Sequence, residues 1–391
     1  MAKDREPSRR QFLSDSGKLV VGKTLLSLAP ASASAFSREP QSGSLNAVTE
    51  SKLRTTQFIA GDAKDMPHTK SVLESTQTRI FDAGTGYGPF TNLMTFTDCT
   101  VVKRDDRWWM IAGGPDKKSR EIQMYSASLP EGAPLSATGW RITPDPNDPS
   151  TPLLLAGKSK SHWWDGKGGR HCPSYVKGYD REKSAWVERI YYAGACREYS
   201  GPYVIGYIEW DGIRWVDQSA PVFTANEYWE HGSVYEPNLI YHDGRWKLWY
   251  VAGANHDNYL VQGYAESPNG RTDWSAHKVF FPQEEKVFDF CAIETQNGYE
   301  AVFSRVNASG KADPPKTGLW WCRAKEPSSN VADWSEPVRI SGPGPWKPCA
   351  RYGETDPKTL FVFCDGAYPN VSGIGIPIHF TIDCIEVERP L

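Results

Sequence analysis

The sequence predicts an all-β fold: a five-bladed β-propeller of four-stranded antiparallel blades, its ring closed by an N-terminal strand that completes the last blade. Three observations lead there. A strand–turn–strand unit recurs five times along the chain. A third apolar strand follows each hairpin, and in four copies a Trp then opens a fourth. The intervening segments carry Gly, Asp and Pro turns and no helical period.

The clearest unit is Tyr235-Glu236-Pro237-Asn238 running through an Asp243-Gly244 turn to Trp249-Tyr250. Apolar residues flanking an Asp-Gly pair are a strong hairpin signal. The first copy starts at Asp98-Cys99 and turns at Asp105-Asp106. The second starts at Cys172-Pro173 and has a longer turn before Ile190-Tyr191-Tyr192. In the fourth, counting back from the Gly298 turn lands on Cys291, which leaves Asp289 one position out of register. The fifth starts near Cys349 and returns as Leu360-Phe361-Val362-Phe363. Third strands are expected at Gln123–Ala127, Val204–Ile208, Val261–Ala265 and Leu319–Cys322, and fourth strands from Trp140, Trp215, Trp274 and Trp334. The fifth copy ends after Phe380–Val387. Thr78–Asp82 can supply its missing strand, which removes two exposed sheet edges.

Residues 1–35 read as an export signal. Ser8-Arg9-Arg10-Gln11-Phe12-Leu13 resembles the twin-arginine consensus, a short apolar run follows, and Ala33-Ser34-Ala35 is a small-x-small cleavage site. Residues 36–77 read as a linker and lead-in, and 78–391 as the propeller. The expected product is a soluble monomer, periplasmic or secreted, with no membrane attachment after cleavage. The net charge of −3 includes an excess of basic groups in the leader. The mildly acidic remainder argues against binding a nucleic-acid backbone.

Eight cysteines are compatible with disulfides in an exported protein. The start of one hairpin strand lies beside the end of the next, so Cys172–Cys196 and Cys349–Cys364 are the expected bonds. Cys99, Cys291, Cys322 and Cys384 are left as buried thiols. No CxxC pair suggests a structural zinc site.

In a propeller the first strands line the channel, so their starts share one mouth. Asp98, Glu236 and Asp289 are then three acids round one opening. Glycoside hydrolysis needs this combination: one carboxylic acid to protonate the departing oxygen and one carboxylate as base or nucleophile. Asp98 is the candidate base or nucleophile and Glu236 the candidate acid. Asp289 is a third carboxylate that could orient the acid, although at its offset position an anchor for strand-end amides is the better reading. His171, His231, Asn255 and His256 are candidates for sugar hydroxyls, as are Arg305 and Arg351. Trp163 and Trp164, in a glycine-rich loop, and Trp229 are candidate stacking platforms for sugar rings. No metal site and no cofactor are expected, with room left for a structural channel cation such as calcium.

With these residues in view, the chain resembles the five-bladed β-propeller glycosidases, a group that includes arabinanases, β-xylosidases, invertases and levansucrases. The resemblance covers residues from about 78 onward. It rests on the repeat architecture, on Tyr235-Glu236-Pro237 with its Asp-Gly turn and Trp249-Tyr250, and on Gly263-Tyr264-Ala265-Glu266-Ser267-Pro268-Asn269-Gly270. In that group a first-blade Asp is the base or nucleophile and a later Glu the acid, which implies those roles for Asp98 and Glu236. Two departures mark a divergent branch: Cys99 stands where Pro usually follows the Asp, and Ser174 where an Asp often stands. They leave the acid role open to a fourth-blade carboxylate. The expected activity is an exported glycoside hydrolase acting on a poly- or oligosaccharide. The alternatives are a phosphorylase or transglycosidase on the same fold, using Arg197, Arg305 or Arg351 for phosphate, and a non-catalytic carbohydrate-binding propeller.

Overall fold

The computed structural model describes residues 53–54, 75–117, 121–157, 162–197, 200–253, 260–305, 318–341, 346–352, 358–369 and 378–389. All fall in one unit, Ser51–Leu391. The expected leader lies outside them, as do most of the lead-in and both Asn255 and His256. Among the described residues the regular structure is strand, apart from three short 3-10 turns. No helix there is long and apolar enough to cross a membrane.

Two strands come first, β1 (Leu53–Arg54) and β2 (Ser75–Asp82). The first set is β3 (Thr97–Arg104), β4 (Arg107–Pro115), β5 (Ile122–Ser128) and β6 (Arg141–Ile142), followed by a small hairpin, β7 (Pro144–Asp145) and β8 (Asp148–Pro152). The second is β9 (Gly169–Asp180), β10 (Ala185–Arg197), β11 (Ser200–Trp210) and β12 (Trp215–Asp217). The third is β13 (Val234–His242), β14 (Arg245–Ala252), β15 (Val261–Ser267) and β16 (Lys278–Phe281). The fourth is β17 (Val287–Thr295), β18 (Gly298–Arg305), β19 (Gly318–Ala324) and β20 (Val338–Arg339). The fifth is β21 (Trp346–Tyr352), β22 (Thr359–Pro369) and β23 (Ile378–Glu388). Within each set consecutive strands pair antiparallel. β2 adds to the edge of β23, from Ser75↔Val387 to Asp82↔Thr381, and begins three residues before the expected Thr78. β1 pairs on its outer side. One parallel pair, Ile122↔Gly169, joins the first two sets edge to edge.

The hairpin turns follow from their residues. Asp243 and Gly244 have φ of 46° and 72°, and Asp105 and Asp106 have 51° and 58°. Two consecutive positive φ values define the type I′ turn that matches the twist of antiparallel strands, and Gly and Asp tolerate it best. The fourth strands deviate from expectation. β6 and β12 begin beside Trp140 and at Trp215, but Trp274 and Trp334 lie four residues ahead of β16 and β20. Each is instead held in a loop by packing: Trp334 is buried and donates Nε1–H to Ser328 O at 3.2 Å, and Trp274 meets Phe223 edge-on at 5.2 Å.

One hydrophobic cluster fills each gap between neighbouring sets. Ile111, Met124, Trp164 and Tyr192 pack between the first and second. Tyr191, Leu239, Trp246 and Leu248 lie between the second and third. Phe281, Phe290 and Phe303 lie between the third and fourth, and Val302, Trp321, Leu360 and Ile385 between the fourth and fifth. A further cluster, with Phe96, Val101, Met110, Phe363 and Ile382, joins the fifth set back to the first. Each fully buried aliphatic or aromatic side chain contributes about 1.5–3 kcal/mol. The inner strands touch in the same order, β3 to β9, β9 to β13, β13 to β17, β17 to β21 and β21 to β3. Among the described residues their inward edges carry one strand pair, Ile122↔Gly169 on β9, and side chains supply acceptors elsewhere. Leu239 N donates to Ser174 Oγ at 3.1 Å and Ala292 N to Asn238 Oδ1 at 3.0 Å. Each bond runs from one set to the next at the same place in the strand.

Candidate functional site

All five inner strands carry the same irregularity near their start. Asp98 and Cys99 face the single residue Ala112 between the pairs Thr97↔Gly113 and Thr100↔Ile111. The same two-against-one count occurs at 172–173, 236–237, 289–290 and 347–348. These are β-bulges, which re-aim side chains at strand ends. They explain the prolines at 173, 237 and 348, since the extra residue of a bulge needs no ladder N–H. The first bulge residue is left-handed at Asp98 (φ 55°), Cys172 (55°), Glu236 (49°) and Asp289 (57°).

These four side chains line one cavity of about 40 Å³, together with Ser174, Asn238 and Cys291. That is room for a few waters or one small group. Glu236 is the most buried of the acids at 5% exposure, and Asp98 and Asp289 are half-buried. The bulges correct the expected register. Asp289 is equivalent to Asp98 and Glu236 and not offset from them. Thr295 pairs with Gly298 as His242 pairs with Arg245, so Asn297, not Gly298, matches Gly244. The Asp98 backbone is fixed from the fifth set: its N–H donates to both carboxylate oxygens of buried Asp365, at 3.1 Å each. Asp365 was legible as a second-strand end, but its role was not.

His171 is buried beside the cavity, its ring edge-to-face with Tyr203 at 4.9 Å, and its Nδ1 lies 3.0 Å from Cys172 Sγ. The expected Cys172–Cys196 disulfide is absent, and neither residue is in a disulfide. The register explains this. Ala195 pairs with Gly169, so Cys196 lies beyond the end of β9 and Cys172 sits opposite Tyr192. Burial pushes the Cys196 thiol up to about 11. Cys364 is in no disulfide either, and the residue opposite Cys349 is its neighbour Phe363. The Cys349 and Arg351 side chains lie outside those described. Cys99, Cys291, Cys322 and Cys384 are buried thiols outside any disulfide, as expected.

The tryptophan pair divides. Trp163 is 64% exposed, whereas Trp164 is fully buried. The Trp164 ring stacks on Tyr192 at 5.5 Å and lies over two glycines, where a Cβ would come within 2.6 Å at Gly194 and 2.2 Å at Gly206. Trp164 is therefore core and cannot serve as a sugar platform. Its loop is pinned by Asp165, which accepts from Arg170 Nε at 2.7 Å and Tyr192 OH at 3.1 Å.

The loop before β13 behaves alike. Trp229 is partly buried against Tyr250, at 6.3 Å, while His231 is exposed at a left-handed cap with φ 50°. Buried Glu230 holds this loop, accepting from His277 Nδ1, Tyr250 OH and Asn226 N at 2.7 Å each and from Glu227 N at 2.8 Å. Sequence reasoning passed over Tyr228, which is 95% exposed on that turn. Arg305 does not line the cavity. It is spent on Glu285, at 2.8 Å, and lies over the Trp320 ring at 4.7 Å.

No protein-family profile matches the chain, and no curated protein does. Solved structures do. A protein described as a glycoside hydrolase aligns with a TM-score of 0.53 and 14% identity, over 76% of this chain and 88% of its own. Zg3597, a family 117 glycoside hydrolase from the marine bacterium Zobellia galactanivorans, aligns with a TM-score of 0.53 and 9% identity, over 81% and 90%. The resemblance read from the repeats is present as a shared fold at low identity.

Proposed function

We propose that the chain is a glycoside hydrolase whose five sets of strands are the blades of a closed propeller, β2 completing the last. The cyclic contacts of the inner strands and the cluster between the fifth and first sets support the ring. One observation carries the activity: three carboxylates occupy the same bulge position in different sets and line one cavity. The acid role goes to Glu236, the most buried, because burial favours a neutral carboxyl. Asp98, its backbone clamped by Asp365, is the base or nucleophile. Asp289 orients the acid or the attacking water. The substrate is a poly- or oligosaccharide. We further propose that the protein is exported by the twin-arginine route and acts as a monomer.

The test is a polysaccharide panel with Asp98→Asn, Glu236→Gln and Asp289→Asn as controls. Removing a general acid or base costs about 10²–10⁴-fold. Sugar release by the parent and losses of that order in the first two variants, with unchanged melting curves, support the reading. A parent that binds glycan yet releases no sugar would make it a binding propeller.

A further inference from the structure

Strand geometry should keep His171 and Cys172 apart, because successive side chains point to opposite faces. The left-handed backbone at Cys172 breaks that alternation and brings His171 Nδ1 to 3.0 Å from Cys172 Sγ. A carboxylate oxygen of Asp98, from the neighbouring set, completes a group of three whose ligand atoms all lie within 4.8 Å of one another. We propose that Asp98, His171 and Cys172 form a binding site for a thiophilic divalent cation of the zinc type.

The donor set selects the metal. Calcium takes six to eight oxygens, and two of these three donors are nitrogen and sulfur. Zinc takes Cys, His and carboxylate together at about 2.0–2.3 Å, which puts tetrahedral donors roughly 3.3–3.8 Å apart. His171 Nδ1 and Cys172 Sγ stand 3.0 Å apart and no pair of the three exceeds 4.8 Å, so small side-chain shifts suffice. Three protein ligands with the fourth position facing a cavity is the open arrangement of reactive zinc sites. The surroundings suit it. Cys172 packs among Ala193, Ala195, Tyr235 and Phe288, and the edge of Tyr203 fixes the His171 ring. The site shares Asp98 with the proposed hydrolase, and in that respect it rests on that reading. An Asp98 bound to zinc is not available as base or nucleophile, so zinc occupancy and turnover exclude one another.

The experiment uses the full chain, stripped with a chelator and then equilibrated with zinc, calcium or cobalt. Metal retained after dialysis is measured by mass spectrometry, and cobalt is followed by its thiolate-to-metal absorption. The expected result is one zinc per chain, at least tenfold preference over calcium, and a thiolate–cobalt band. Cys172→Ser should abolish the band, and His171→Asn should weaken zinc binding at least tenfold. Cys196→Ser, whose thiol is outside the group, should change neither. Melting curves separate loss of ligand from loss of fold, and the His171 and Cys172 variants are independent checks on each other. No zinc retained, equal calcium binding, or a band that survives Cys172→Ser would overturn the site. Zinc bound without sugar release under any condition leaves the site standing and removes the hydrolase. Sugar release that continues in zinc-saturated protein would overturn the site as drawn, since Asp98 would not be a ligand.

Discussion

Truncating Trp164 and its neighbour Trp163 should give opposite results. Trp164→Ala empties a fully buried site and loses the Nε1 bond to Ser219 O, 3.4 Å; deletion of a buried Trp costs about 3–5 kcal/mol. Trp163, largely exposed, should cost no more than about 0.5 kcal/mol. The glycines beneath the ring supply an internal control. A methyl at Gly206 would sit 2.2 Å from Trp164 Cη2 and 2.4 Å from Cζ3, an overlap the enclosed ring cannot escape, so Gly206→Ala should cost about 1–3 kcal/mol by overpacking. In the Trp164→Ala background the same methyl enters vacated space. The double variant should therefore be no less stable than Trp164→Ala alone, a coupling of about 1–3 kcal/mol. Urea unfolding of the four proteins measures each number. Equal losses for the two tryptophans, or the same Gly206→Ala cost in both backgrounds, would refute Trp164 as core and reopen its use as a sugar platform.

Burial pushes the Glu230 carboxyl up, but bonds from His277, Tyr250 and two backbone amides outweigh it and hold it below the usual carboxylate range. A depressed folded value means stability present above the unfolded pKa, near 4.3, and lost as pH falls through the folded one. Glu230→Gln should be about 1–3 kcal/mol less stable at neutral pH, and melts taken at successively lower pH should show the gap closing. Asn238→Ala leaves the Ala292 amide without its acceptor, at a cost of about 1–3 kcal/mol; hydrogen exchange at that amide should accelerate, and unchanged exchange would mean the bond does not form. Asp365→Asn removes the charge that holds the Asp98 amide. A bond to a charged group is worth about 1.5–3 kcal/mol, so turnover should fall roughly 10–150-fold with little change in KM. A variant that turns over normally would show that the clamp is not needed for Asp98 to work.

The all-β architecture was legible because hairpin chemistry is local. Asp243-Gly244 and Asp105-Asp106 adopt the turn their residues favour. The strand added to the last sheet was legible for a different reason: an unpaired edge at Phe380–Val387 demanded a partner, and β2 supplies it. What escaped was register. A count back from a turn glycine assumes equal turns, and the fourth hairpin places its glycine one residue later than the third. That single step displaced Asp289 from its true equivalence. The disulfide expectation failed for another reason: β9 begins at Gly169, three residues before Cys172, so Cys172 is not at the strand end near Cys196. The expectation for Trp164 failed because burial of adjacent loop residues depends on what lies beneath. The glycines that receive Trp164 are on β10 and β11, far along the chain.

A bulge at one place in every inner strand is a property of the scaffold, but its occupants are not dictated by the scaffold. A left-handed residue is most cheaply Gly, Asn or Asp, and for other L-residues it costs roughly 1–2 kcal/mol. A structural role alone would favour those three. The chain places Asp98, Cys172, Glu236 and Asp289 there, two of them outside that group, and all four line a cavity of about 40 Å³. Three carboxylates around so small a space repel one another when ionised, and each resists leaving water. Electrostatics thus argues against the three carboxylates and backbone strain against Cys172 and Glu236, and the two meet at Glu236. Local rules broken together at one concave place, while the turns and clusters around it obey them, are what a reactive site looks like in physical terms. The shared fold with known glycosidases cannot supply that argument, because a fold hosts many chemistries; the choice of residues at the bulges can.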